Sequence, residues 1–117
     1  MSELADFLID QLAPLGPVSR RRMFGCAGLF QDGRMFALIS GDGRLYVKAD
    51  ADNVARFAEH DCPPFTYVTR GRQVALSYYE PPETVFDDQD ELLDWARQGL
   101  EAAARAPETR SSRNVGG

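Results

Sequence analysis

A chain of 117 residues, 44% of them hydrophobic and 26% charged, is long enough for one domain with its own core and too apolar for a disordered chain. No apolar run approaches the ~20 residues of a bilayer-spanning helix, and the acidic residues 1–6 lack the basic flank of an export signal, so a cytoplasmic protein without a membrane partner is expected. The net charge of −5 comes from residues 51–117, with seven basic and twelve acidic side chains, whereas residues 1–50 carry six of each. Phosphate backbones are repelled by such a balance, which weighs against a dedicated nucleic-acid binder and leaves room for a local basic patch.

In chain order, Leu4, Phe7, Leu8 and Leu12 recur at helical spacing behind Ser2, a good capping residue, and Pro14-Leu15-Gly16-Pro17 ends the pattern. Two strands are expected on either side of Asp32-Gly33, a dipeptide that tolerates the positive φ angles of a tight hairpin. The second of them, residues 35–39 (MFALI), is apolar on both faces and reads as a central strand. Gly41-Asp42-Gly43 turns the chain into a third strand, residues 45–48. Asp50 is expected to cap a short helix with Val54, Phe57 and Ala58 facing inward, closed by Pro63-Pro64. Residues 65–68 and 74–79 read as a second hairpin turning at Arg70-Gly71-Arg72. Asp88 and Glu91 stand at capping-box spacing before Leu92, Trp95, Ala96, Leu100 and Ala103, which line one face of the clearest helix. The order α-β-β-β-α-β-β-α with short connections predicts an α+β domain over residues 1–106, built on a five-stranded antiparallel sheet. Residues 107–117 lack any apolar period and are expected to form a disordered tail.

The stretch SRRRMFGCAGLFQDG, residues 19–33, invites three chemical readings. A phosphate-binding glycine loop follows a strand and opens a helix, but the Gly25–Gly28 bracket here leads into a strand, where glycine allows a bend, a bulge or a close approach. A nucleophilic Cys26 needs a base, and the single histidine, His60, stands some thirty residues on. His60-Asp61-Cys62 lacks the spacing of paired zinc ligands, so neither metal nor cofactor is expected. Arg20, Arg21 and Arg22, with Lys48, Arg70 and Arg72, form the candidate anion- or nucleic-acid-binding set, with Tyr46, Tyr67 or Tyr79 as stacking partners. The competing reading is ion pairing with the acidic stretch 80–94, which holds seven acids and no base, in the same chain or in a partner subunit.

The run Met23-Phe24-Gly25-Cys26-Ala27-Gly28-Leu29-Phe30, followed by Asp32-Gly33, Leu45-Tyr46-Val47-Lys48, Leu76-Ser77-Tyr78-Tyr79 and Glu91-Leu92-Leu93-Asp94-Trp95-Ala96, resembles the TfoX N-terminal domain family over residues 4–105. The resemblance implies a secretion-chaperone-like α+β fold standing as an isolated N-terminal domain, and it brings no catalytic residues. It implies structural roles for Met23, Phe24, Gly25, Gly28, Asp32 and Gly33, and for Ser77, Tyr78, Tyr79 and Trp95. It also implies competence-like transcriptional regulation, as in family members that act with the cyclic-AMP receptor protein at promoters. The expected function is therefore a non-enzymatic regulatory or adaptor module that binds protein, the transcription machinery being one candidate partner. Direct nucleic-acid binding through the Arg/Lys set and a small enzyme using Cys26 are the alternatives; the implied fold also allows a homodimer.

Overall fold

The computed structural model describes residues 2–23 and 25–106, the side chains of Ser2 and Met23 excepted; the motif residue Phe24 and the tail 107–117 lie outside the described residues. Helix α1 (Ser2–Gln11) and a 3-10 turn (Ala13–Leu15) lead into strands β1 (Ser19–Met23), β2 (Cys26–Gln31), β3 (Arg34–Ile39) and β4 (Leu45–Lys48). Helix α2 (Val54–Glu59), strands β5 (Pro64–Thr69) and β6 (Arg72–Tyr79), a second 3-10 turn (Glu83–Phe86) and helix α3 (Gln89–Arg105) complete the domain. The strands form one antiparallel sheet in the order β1-β2-β3-β4-β6-β5.

Among the described residues the sheet has six strands rather than the expected five, because the arginine run forms a strand of its own. Arg20, Arg21 and Arg22 pair with Leu29, Gly28 and Ala27, and the chain reverses beside Gly25 at φ +78°. Hydrophobic periodicity does not reveal such a strand: it lies at the sheet edge, and its arginines are exposed. Gly28 serves a different need. A Cβ there would come within 2.6 Å of Met35 Sδ and 2.9 Å of the Phe30 ring. The glycine bracket thus makes one turn and one close packing contact.

Asp32 and Gly33, both at positive φ, turn β2 into β3, and Arg70 and Gly71 do the same for β5 and β6. Asp50 does not cap α2 directly. Its Oδ1 accepts from the backbone N–H groups of Asp52 and Asn53, stabilising the turn before the helix. Asp88 does cap α3, accepting from the Glu91 N–H at 3.2 Å.

Helices α1, α2 and α3 share one core with one face of the sheet. Leu8, Leu12, Phe57, Leu92 and Trp95 pack there with Leu29, Ala37 and Val47, each at most 2% exposed. Register sends Ile39 and Leu45 to this face and Leu38 and Tyr46 to the other. Asn53, 4% exposed, ties the layers together: its Nδ2 donates to the Lys48 and Gln98 carbonyls, and its Oδ1 accepts from the Asp50 N–H.

Tyr78 lies on the second face, 7% exposed, with its hydroxyl donating to the Met35 carbonyl. Burial pushes its pKa up to about 12. The stability this residue contributes is complete below pH ~10, where the unfolded phenol is still protonated, and is lost as pH rises toward the folded value. Domain stability should fall by about 2 kcal/mol over that window. Urea midpoints measured on raising the pH through it test this, with Tyr78→Phe flattening the decline.

Candidate functional site

Strand parity divides the candidate cations. Arg20 pairs with Leu29 on the helical side, where its guanidinium meets Asp6 of α1 at 3.0 Å. Arg22 has the same parity, and Arg70 sits in the β5–β6 turn. Arg21 and Lys48 belong to the opposite face, where Arg21 is opposite Gly28 and Lys48 opposite Tyr78. Arg72 shares the parity of Tyr78, about 20 Å farther along β6 at ~3.4 Å per residue. The six candidates therefore do not form one patch. Three of them, Arg21, Lys48 and Arg72, share the face that carries no helix.

That face is aromatic as well as basic. The Arg21 guanidinium lies 4.6 Å from the centroid of Phe30, and Lys48 Nζ lies 5.2 Å from that of Tyr78. Tyr46 meets Phe65 edge-on at 5.0 Å, and Phe65 stacks near Tyr67 at 6.2 Å. Tyr67 is 40% exposed. Tyr79, expected among the stacking partners, is on the helical side instead, where its ring stacks on Phe57 at 5.4 Å. Phe30 and Phe65 were not among the expected residues, because their faces depend on register. The β2–β3 ladder shifts between Leu29 and Phe30, and β5–β6 shifts between Pro64 and Thr66.

Acids are kept out of the sheet. None of the six strands contains an Asp or Glu, although the chain has eighteen. The acids lie in helices and connections. The two that raise the pKa of the Tyr46 hydroxyl, Glu80 and Asp42, adding to its burial, are both paired with Arg44, at 3.0 and 3.5 Å. Two acids of the 80–94 segment meet cations outside the candidate set: Arg44 meets Glu80, and Arg56 meets Asp94.

The cysteines are separated. Cys26, half-buried, has the parity of Gly28 and Phe30, whereas His60 is edge-on to Trp95 on the helical side. The sheet stands between the thiol and the imidazole. Cys62 is buried, and desolvation, with Glu80 and Asp61 nearby, pushes its thiol pKa up, the reverse of what a nucleophile needs. Among the described residues no group of three His, Cys, Asp or Glu side chains could hold a metal ion, and no helix is long and apolar enough to cross a membrane.

A family model described as the TfoX N-terminal domain matches residues 10–103. The chain is 34% identical over 104 residues to Protein Sxy of Escherichia coli, an alignment covering 89% of this chain and 49% of Sxy. It is 31% identical over 113 residues to DNA transformation protein TfoX1 of Aliivibrio fischeri, covering 97% of this chain and 54% of that protein. The chain thus spans about half the length of these curated relatives.

Proposed function

Because the chain belongs to the TfoX N-terminal domain family, we propose that it is a non-enzymatic regulatory module of competence-like transcriptional control that works by binding a protein partner. The family match carries this reading, and the name of one relative, a DNA transformation protein, supports the process. The separation of Cys26 from His60 favours the non-enzymatic part over a thiol enzyme. The test is binding of the purified domain to purified cyclic-AMP receptor protein and to RNA polymerase, by sedimentation and calorimetry. A saturable complex with either is expected; the absence of both complexes at high protein concentration defeats the reading.

A second reading, direct contact with nucleic acid, is favoured by one observation: the sheet is free of acids in a chain of net charge −5. Its cations are Arg21, Lys48 and Arg72. Arg20, paired with Asp6, and Arg22 contribute through the general potential of the β1 edge. On this reading Arg21→Gln weakens binding more than Arg22→Gln, as fluorescence anisotropy of a labelled oligonucleotide would record. Equal losses would remove the face from the argument.

A further inference from the structure

We propose that the helix-free face of the sheet is a binding platform for single-stranded nucleic acid, an inference that deepens the second reading above and rests on it. Such platforms combine cations that track the phosphates with aromatic rings on which bases stack, with no need for the bases to be paired. Both parts are present on this one face. Arg21 stands over Phe30 on β2, at 4.6 Å, and Lys48 stands over Tyr78 in the centre of the sheet, at 5.2 Å. Arg72 and the 40%-exposed ring of Tyr67 lie toward the far edge. From β2 to β5 the platform spans roughly 19 Å at the usual strand spacing.

Three physical points select this occupant over others. The strands hold no carboxylate, so a phosphate chain crossing the sheet meets no like charge from them; the two acids that act on Tyr46, Glu80 and Asp42, are paired with Arg44. A second copy of the chain docked face to face would set Arg21, Lys48 and Arg72 against themselves, since a two-fold contact presents the same patch twice. A duplex hides its base faces inside its own stack, leaving the aromatic half of the platform without a role. An unpaired strand meets both halves.

The side chains differ in their contributions. Tyr78 is 7% exposed, too buried to receive a base, and serves as the floor beneath Lys48. Tyr67 offers an open ring, extended by the Phe65 ring at 6.2 Å and by Tyr46 beyond it. The cation–aromatic pairs hold Arg21 and Lys48 over the sheet before any ligand arrives, which lowers the ordering cost of binding.

The experiment is an anisotropy titration of the whole chain against a labelled oligothymidylate of about 12 nucleotides and a labelled duplex of the same length, at low and moderate salt. The single strand is expected to bind more tightly. Three neutralised phosphates predict a loss of roughly 20-fold for a fourfold rise in salt, from a log–log slope near −2. Tyr67→Ala should weaken the single-stranded complex about tenfold and leave duplex binding within a factor of about two. Lys48→Gln should lower affinity for both and flatten the salt dependence. Both positions are at the surface, and circular dichroism checks that the variants fold. Equal binding of strand and duplex, or a Tyr67→Ala variant that binds like wild type, overturns the stacking platform while leaving general nucleic-acid contact standing. No binding of either probe overturns both. Self-association that saturates without nucleic acid and is lost in Tyr67→Ala assigns the face to a second copy and also overturns the proposal.

Discussion

Trp95→Ala should lower the stability of the domain by about 3–5 kcal/mol, a large part of the ~5–15 kcal/mol that holds a domain of this size together. Trp95 is 1% exposed, and its ring lies 4.9 Å from that of Phe57, so one side chain on α3 fastens α2 to the core. The Arg56 guanidinium covers another part of the ring at 4.2 Å, and the His60 imidazole closes its edge at 5.3 Å. Truncation removes the largest buried side chain in the described core and leaves a cavity between two helices that cannot collapse without moving α2. Urea unfolding followed by circular dichroism reads the loss, with Trp95→Phe recovering most of it. A Trp95→Ala midpoint close to wild type would mean that α2 is not held through this ring.

Gly99→Ala is the second test, and its sign carries the information. In an exposed helix interior alanine is favoured over glycine by about 1 kcal/mol. At this position the added Cβ would lie 2.6 Å from the Phe36 carbonyl oxygen and 2.7 Å from Val47 Cγ1. The first contact is with the backbone of a central strand, which yields only if α3 lifts from the sheet. Overpacking of this kind costs about 1–3 kcal/mol and outweighs the propensity gain, so the variant should be less stable than wild type. Thermal melts of the two proteins decide it: a higher midpoint for Gly99→Ala would show that helix and sheet have room to spare.

Gly99 also marks the limit of what a sequence shows. The apolar positions of α3 were legible from spacing, and the cap at Asp88 from residue type, because both depend on local chain geometry. Glu91 was legible only in part: instead of closing the capping box it accepts from the Thr84 hydroxyl at 2.8 Å, a contact set by the preceding 3-10 turn. The glycine contact was not legible at all, since it depends on how far a helix stands from a sheet. Candidate site residues divide the same way. Arg21 opposite in face to Arg20 and Arg22 follows from alternation alone. Tyr79 was misplaced because the faces of β6 are fixed by its short ladder to β4, Val47 to Tyr79 and Lys48 to Tyr78. Phe36 turns inward beside Ala37 because β3 carries an extra residue opposite the Leu29–Phe30 step, and no periodicity encodes that insertion.

The two outer strands leave the domain unequally guarded against its own kind. At one edge, β1 carries three consecutive arginines that project to both faces, so a second molecule pairing there through its own β1 sets like charge against like. At the other edge, β5 has no charged residue; Pro64 and an irregular register blunt only its first part, and Val68 is 72% exposed. The arginine run is therefore a gatekeeper as well as a source of positive potential. Neutralising all three arginines at once would expose a second unprotected edge, and precipitation would then imitate loss of function.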